Sequence, residues 1–371
     1  MYHYELLDWV DVTKLDINNL LKNSNMLGFL KKNIDKIDWN NDNILISICN
    51  KDHLALDKSA TLLRFFNANI DKINWSNLSS NRKAILLLER NQDKIDWSYL
   101  SSNVNAIHLL RNNIDKIDWT RLSANYNAIS ILEEHIEKID WFVLSMNYGA
   151  IPILERNLDM IDWSQLSSNR NAMHILEQNI SRIDWPRLCR NTSAIALLEK
   201  NKDKIDWYCL SDNENAIDLL TANVDKVDWS MLSHNINALP ILEMNIDKVN
   251  WSYLSFNPNA MPILEKNMDK ILWNYLSYNR GVSPSFLENN MDKIVWKCIM
   301  ENPNSMTVMA KNRDKINYKI LSYNKLIFER KIDYAFLKNK MDIFREELIM
   351  NCMHPRRLTK FIEMGGNIDD F

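Results

Sequence analysis

The sequence predicts an all-α fold, an α-solenoid of stacked 22-residue helical hairpins. Ten tryptophans recur at intervals of 22 residues without a slip, from Trp75 to Trp273, and a step of 23 residues then leads to Trp296. Between the tryptophans, apolar residues recur at the three- and four-residue spacing of short helices. A hairpin of this length cannot bury both of its faces, so we expect each unit to stack on the next and form one continuous core.

Each unit reads W-S-x-L-S-x-N-x-N-A-I-x-L-L-E-x-N-x-D-K-I-D, and its positions are numbered from the tryptophan. Apolar positions 1 and 4 predict a first helix, and positions 11 and 14 predict a second. Asp at position 22 precedes the next tryptophan and predicts an N-cap, which stabilises a helix by about 1 kcal/mol. Pro186 and Pro152 fall in proposed first turns, where the missing N–H costs little. A nearly constant Ala at position 10 predicts close helix contact.

The pattern loosens toward both termini and divides the chain into three parts. We predict degenerate N-terminal repeats or a cap over residues 1–74, a regular array over 75–317, and degenerate C-terminal repeats with a cap over 318–371. A unit tail is recognisable at Lys32–Trp39, although the neighbouring tryptophan spacings are irregular. The cap Asp is lost at Leu272 and Val295, and His135 replaces the second Asn, so we expect distortion in those units.

Composition excludes several classes of function. The net charge is −3, so there is no excess of Lys and Arg to neutralise a phosphate backbone, and nucleic acid is a disfavoured partner. The five cysteines form no CxxC pair and indicate reduced thiols in a cytosol-like compartment. No apolar run reaches the length of a membrane span, and the N-terminus does not look like a signal peptide. We expect a monomer that does not bind a membrane.

The repeated polar columns are the first candidates for chemistry. Asn at positions 7 and 17 could read nucleobases one per unit, but both columns fall at helix ends, where Asn tolerates a left-handed backbone, and this structural role is favoured. Glu at position 15 and Asp-Lys at 19 and 20 predict a solvated charge ladder. The histidines have no metal-ligand spacing, and Ser at position 5 has no neighbouring His. We therefore predict no catalytic residue, no metal site and no cofactor, and expect a protein that is not an enzyme.

The positions that the repeat leaves free are better candidates, chiefly 3 and 6 on the first helix and 8 and 12 around the second. Positions 3 and 6 should share one face, and toward the C-terminus they become apolar and aromatic at Met231, Tyr253, Phe256, Tyr275 and Tyr278. Exposed, these side chains would bind a partner; buried, they would pack between helices or under the C-terminal cap. Both interpretations stay open at this stage.

Two functions from different classes follow. The favoured one is a non-catalytic scaffold or adaptor that binds another protein through the variable positions. The alternative is a nucleic-acid-binding helical repeat protein, which would need five arginines to converge on one strip: Arg82, Arg121, Arg170, Arg187 and Arg190.

The run Lys94-Ile95-Asp96-Trp97-x-x-Leu100-Ser101-x-Asn103, repeated over roughly residues 30 to 325, resembles the KIDWxxLSxN-type tandem repeat proteins of giant DNA viruses of amoebae (mimivirus-like). The closing HPRRLTKFIEMGGNIDDF looks like the endings of such proteins, and also like half of an ankyrin unit. The resemblance implies a viral protein in the cytoplasm of an infected host cell but does not indicate its task. It implies no catalytic residues. The scaffold hypothesis then makes a viral or host protein the partner.

Overall fold

The computed structural model describes residues 2–16, 74–332 and 354–364, together with positions 334, 338, 345 and 350. The predicted all-α repeat fold is confirmed, because short helices recur in step with the tryptophans and first helices pack against the first helices of neighbouring units. The proposed unit tail at Lys32–Trp39 lies outside the described residues. Within the described residues, no helix is long and apolar enough to cross a membrane.

The first helix of each described unit begins at position 1 and is four to six residues long. These helices are Trp75–Ser80, Trp97–Ser101, Trp119–Ser123, Trp141–Leu144, Trp163–Ser168, Trp185–Arg190, Trp207–Ser211, Trp229–His234, Trp251–Phe256, Trp273–Leu276, Trp296–Ile299 and Tyr318–Leu321.

The second helix begins at position 11 in most units. These helices are Ile85–Arg90, Ile107–Arg111, Ile129–Glu134, Ile151–Arg156, Met173–Gln178, Ile195–Lys200, Ile217–Thr221, Leu239–Met244, Met261–Leu264, Pro284–Asn289 and Met306–Lys311. The prolines confirm the predicted phase, since Pro186 and Pro152 both lie in the first turn of their helices.

Most units also contain a short 3₁₀ helix at positions 18–20, which the sequence pattern did not predict. These are Gln92–Lys94, Ile114–Lys116, Ile136–Lys138, Leu158–Met160, Ile180–Arg182, Lys202–Lys204, Ile246–Lys248 and Arg313–Lys315. Further 3₁₀ helices lie at Val12–Lys14, Pro303–Ser305 and Lys325–Ile327. Most described units are therefore helical hairpins with a tight additional turn that leads to the next cap.

The predicted N-caps are confirmed. Wherever Asp stands at position 22 of a described unit, its carboxylate accepts from the backbone N–H of position 3 in the following unit, as Asp118 does from Arg121 at 3.1 Å. Leu272 and Val295 make no side-chain cap, yet their backbone stays extended and the following helices form. His135 likewise keeps the backbone conformation of the Asn it replaces, with φ −135° and ψ 51°. The predicted distortion is thus not seen in the backbone of these three positions.

The core is a column of small and medium apolar side chains in one large cluster, beside a second, smaller cluster that includes Leu287 and Ile299. Leu at position 4, Ala at 10 and Leu or Ile at 13 and 14 are buried in each regular unit; in the Trp119 unit, Leu122, Ala128, Ile131 and Leu132 are fully enclosed. The buried Ala agrees with the close helix contact that the sequence predicted. Position 13 was not singled out from the sequence, although it is buried along the array.

The tryptophans are only partly buried and pack on the edge of this column. The residue at position 20 covers the exposed ring face: the Lys116 ammonium lies 4.6 Å from the centre of the Trp97 ring. Equivalent cation–π pairs recur along the array, including Lys138 over Trp119 at 5.0 Å and Arg182 over Trp163 at 5.1 Å. The Asp-Lys dipeptide is therefore not purely a solvated charge pair, since its Lys covers the tryptophan.

The one extra residue in the 23-residue step to Trp296 lies just before the second helix of the Trp273 unit. The added residue lets Ser283 cap the helix Pro284–Asn289, with its hydroxyl accepting from the Phe286 N–H at 3.1 Å. The turn before it needs glycine, because a Cβ on Gly281 would stand 1.7 Å from the carbonyl oxygen of Pro258 in the preceding unit. The array continues through the insertion without losing its stacking.

A small two-stranded antiparallel sheet, absent from the sequence prediction, joins distant parts of the chain. Strand β1 (Tyr2–Leu6) pairs with strand β2 (Phe328–Ile332), which follows the Tyr318 unit. Val10 and Leu15 are buried and belong to the same hydrophobic core as Leu321 and Ile327. Farther along, the structure describes the C-terminal helix Pro355–Glu363.

Candidate partner-binding surface

The position-7 asparagines form a buried ladder that joins neighbouring units. Asn103 Nδ2 donates to the carbonyl oxygens of Ser79 at 2.9 Å and Asn81 at 3.0 Å, both in the preceding unit. Its Oδ1 accepts from the Asn105 N–H at 3.1 Å. The same bonds recur, in whole or in part, at Asn125, Asn147, Asn169, Asn191, Asn213, Asn235, Asn257, Asn279, Asn302 and Asn324. These amides are committed to backbone groups and are not presented to a ligand.

The position-17 asparagines also serve the backbone. Asn113 Nδ2, for example, donates to the Leu109 carbonyl at 3.0 Å, closing the end of the second helix. The reason given from the sequence is wrong for both columns, because neither uses a left-handed backbone: φ is −75° at Asn81 and −133° at Asn91. The position-7 amide both donates and accepts, and the position-17 amide donates to the helix end.

Ser at position 5 is likewise part of the framework. The Ser101 hydroxyl donates to the Trp97 carbonyl at 2.7 Å and accepts from the Asp118 N–H at 3.0 Å. Asp118 also accepts from the Ser98 hydroxyl at 2.6 Å. Burial alone would raise the pKa of Asp118, but the hydrogen bonds from Ser98 and from the Arg121 backbone outweigh it and lower the pKa.

Charged residues of the second helices form exposed ion pairs between neighbouring units. Arg111 Nη1 lies 2.8 Å from a Glu134 oxygen of the next unit, and His108 Nε2 lies 2.7 Å from a Glu89 oxygen of the preceding one. Such exposed pairs contribute about 0–1 kcal/mol each. No group of three or more His, Cys, Asp or Glu within the described part of the chain could hold a metal ion.

Positions 3 and 6 of the first helices do lie on one face, as the spacing predicted, and we call this face the 3/6 strip. Direct contacts link it from unit to unit: the Arg121 guanidinium lies 4.4 Å from the Tyr99 ring centre, and Arg187 Nη1 donates to Gln165 Oε1 at 2.9 Å. Positions 3 and 6 also meet each other, since the His234 ring stands edge-on to the Tyr253 ring of the next unit at 6.0 Å.

The predicted site residues occupy this strip but differ in exposure. Tyr253, Phe256 and Tyr275 are exposed by 40%, 46% and 42%. Met231 and Tyr278 are half-buried. Tyr278 bonds to the Cys298 thiol of the next unit, and this hydrogen bond, together with burial, raises its pKa to about 12. Tyr253, Phe256 and Tyr275 are thus free for a partner, whereas Tyr278 packs within the array; binding by any of them stays a prediction.

The five arginines of the alternative hypothesis occupy different positions of the unit. Arg121 and Arg187 stand at position 3, three units apart, and each makes an ion pair with the cap Asp of its own helix at 3.6 and 3.7 Å. Arg190 stands at position 6, while Arg82 and Arg170 stand at position 8 in the turn between helices. Three of the five therefore lie on the 3/6 strip and two lie outside it, so the five do not all converge.

A second group of exposed apolar residues was not predicted from the sequence. Tyr126 and Tyr148 stand at position 8 of adjacent units and are exposed by 46% and 60%, and Phe142 and Met146 of the Trp141 unit are exposed by 55% and 48%. The signal was present in the sequence: Phe142 replaces the usual Ser of position 2, and position 8 is one of the free positions.

Comparison of the chain with protein-family models, with curated proteins and with solved structures finds no match.

Proposed function

We propose that this protein is a non-catalytic binding scaffold that holds another protein on the C-terminal half of its 3/6 strip. The observation that carries the proposal is the exposure of Tyr253, Phe256 and Tyr275 on adjacent units of one rigid face. Large aromatic side chains of this kind dominate the centres of protein interfaces, where they bury much area at a small cost in conformational entropy.

The charge of this region supports a protein partner. Across the Trp229, Trp251 and Trp273 units, positions 3 and 6 hold no Asp, Glu, Lys or Arg. Depletion of charge at the centre, with charged residues outside it, is typical of protein-binding surfaces. A strip that bound nucleic acid would instead need Lys or Arg along the path of the phosphates.

The cellular setting is proposed from the resemblance of the Lys94–Asn103 run to tandem repeat proteins of giant viruses of amoebae. On that basis the scaffold acts in the cytoplasm of an infected cell and its partner is a viral or host protein. The polar columns are occupied by backbone hydrogen bonds, so the binding role needs no cofactor and no catalytic residue.

The test compares three proteins as baits in infected-cell lysate: the natural chain, a strip variant and a matched control. The strip variant carries Tyr253→Ser, Phe256→Ser and Tyr275→Ser. The control carries Tyr126→Ser and Tyr148→Ser, which remove exposed tyrosines of similar exposure from a different position of the unit. Circular dichroism first establishes that all three are folded.

We expect a protein that is captured by the natural chain and the control but reduced at least tenfold with the strip variant. Equal recovery by all three would contradict the proposal. A partner that disappears after nuclease treatment, or whose binding collapses between about 50 and 200 mM salt, would support the nucleic-acid alternative instead.

A further inference from the structure

The Tyr318 unit departs from the repeat after its first helix. Its Asn324 amide still donates to the Met300 carbonyl at 2.9 Å, and the Leu326 N–H donates to Asn324 Oδ1 at 3.0 Å, as in the other units. At position 11, however, the chain enters strand β2 at Phe328 instead of a second helix. Among the described residues, a distant segment supplies the rest of this unit's interface.

Residues 2–16 supply that interface. Strand β1 lies antiparallel to β2 with Leu6 opposite Phe328, and the Leu7 N–H continues the ladder to the Ile327 carbonyl at 2.8 Å. The chain then forms the 3₁₀ helix Val12–Lys14 and reaches Asp16. There it contacts Ser322, which is 306 positions away in sequence.

The contacts of residues 14–16 reproduce those of a regular unit tail. The Asp16 N–H donates to the Ser322 hydroxyl at 2.9 Å, as the Asp118 N–H donates to Ser101 at 3.0 Å. Lys14 covers the Tyr318 ring at 5.5 Å, as the position-20 Lys covers the tryptophan in regular units. Asp16 therefore occupies position 22 of the Tyr318 unit, and Lys14 occupies position 20.

The burial of Leu15, which lies between Lys14 and Asp16, agrees with this assignment. Leu15 is 7% exposed, and Ile117, at position 21 of a regular unit, is 8% exposed. The 3₁₀ helix Val12–Lys14 then corresponds to Ile114–Lys116. The match covers hydrogen bonding, ring contact, burial and backbone, so it is more than a chance contact between two segments.

The sequence places residues 11–16 in the same phase. Counting on from Asp16 as position 22 puts Leu20 at position 4, Asn23 at position 7, Asn33 at position 17 and Asp38 at position 22, directly before Trp39. Residues 11–16 are thus a repeat tail by sequence register as well as by contact.

We propose that residues 2–16 are an intramolecular clasp, which completes the Tyr318 unit and ties the N-terminal segment to the C-terminal part of the array. A unit with a neighbour on one side only lacks half of its stacking interface and opens most easily. The clasp covers the Tyr318 unit with the contacts of a regular unit tail and limits how far the array can change its curvature. A tethered segment reaches an effective concentration of about 1 mM, so at micromolar protein it outcompetes the same segment of a second copy.

A disulfide trap tests the clasp in the full chain. Tyr4 lies directly opposite Arg330, and because Leu7 and Ile327 form a hydrogen-bonded pair, the alternation of the ladder makes Tyr4 and Arg330 a non-hydrogen-bonded pair. Such pairs have Cα atoms about 4.5 Å apart, within the range that a disulfide bridges. Tyr4→Cys with Arg330→Cys is therefore the trapping variant. The control is Tyr4→Cys with Lys331→Cys, whose second cysteine faces the other side of the ribbon.

Both variants are oxidised with diamide at two micromolar protein concentrations that differ tenfold. The products are separated on non-reducing gels and mapped by mass spectrometry. We expect the trapping variant to form an internal disulfide at least tenfold faster than the control, at a yield independent of protein concentration. The locked monomer should also show slower hydrogen exchange at residues 318–327 than its reduced form. A disulfide-linked dimer as the main product would overturn the intramolecular clasp, and so would equal oxidation rates in two folded variants.

Discussion

Replacing Asn169 by alanine removes one rung of the buried amide ladder without touching the 3/6 strip. Its side chain is fully buried, donates to the carbonyls of Ser145 at 3.1 Å and Asn147 at 3.3 Å, and accepts from the Asn171 N–H at 3.0 Å. Each buried hydrogen bond contributes about 1 kcal/mol net, and a stranded buried group costs about 1–3 kcal/mol. We therefore expect the interface between the Trp141 and Trp163 units to lose about 3–5 kcal/mol.

Asn171→Ala is the matched control, because it makes the same chemical change two positions away. The Asn171 amide makes one exposed bond, to the Tyr148 carbonyl at 3.1 Å. Its loss should cost about 0.5–1 kcal/mol. The contrast between the two variants isolates the effect of burial and of the number of bonds.

Hydrogen exchange in the native state is the appropriate assay, since a stacked array need not unfold in one step. Asn169→Ala should accelerate exchange at the buried amides of the Trp141 and Trp163 units by about two orders of magnitude or more, whereas units several repeats away change little. Urea unfolding followed by tryptophan fluorescence should become broader or biphasic. Equal effects of the two variants would refute the structural role assigned to the ladder.

Three further outcomes are expected. Leu176→Ala empties a fully buried position and should cost about 2–5 kcal/mol in urea unfolding; a change below about 1 kcal/mol would contradict the packed core. Because the folded pKa of Asp118 lies below its ordinary value of 3.8, the stability it confers is complete above that pH and is lost as the pH falls through the folded pKa. Asp118→Asn, which keeps a capping oxygen, should weaken the dependence of stability on pH in this acidic range. An unchanged dependence would contradict the role of the Asp118 carboxylate. Burial raises the pKa of Cys189 to about 11, so iodoacetamide at pH 8 should modify it only after denaturation, and rapid labelling of the folded protein would be the contrary result.

The local structure followed from the sequence because its causes are local. Asp118 precedes Trp119 and caps its helix, and Pro152 lies in a first turn, as the pattern indicated. The 3₁₀ helix Ile114–Lys116 was missed because a three-residue turn carries no periodicity of its own, and Lys116 was assigned to solvent although it covers Trp97. The asparagine columns were placed correctly at helix ends, but the bonds that the position-7 column makes to the preceding unit depend on stacking geometry.

Non-local features lay beyond the pattern. The pairing of β1 with β2 joins segments with no shared alternation, so nothing in either segment alone predicts it. The strip was predictable as a face, since positions 3 and 6 lie on one side of a helix. The exposure of each member was not: Tyr278 and Phe256 share position 6, yet Tyr278 is half-buried and lies beside Cys298 of the next unit.

The central claim is that the repeated columns hold the array together while the exposed aromatics of the 3/6 strip hold the partner. Hydroxyl-radical footprinting of the natural chain, alone and with its captured partner, tests this most directly. Tyr253, Phe256 and Tyr275 should lose reactivity severalfold in the complex, while Tyr126 and Tyr148, which are at least as exposed, keep theirs. Protection of Tyr126 and Tyr148 with an unchanged strip would contradict the account and place the binding surface elsewhere.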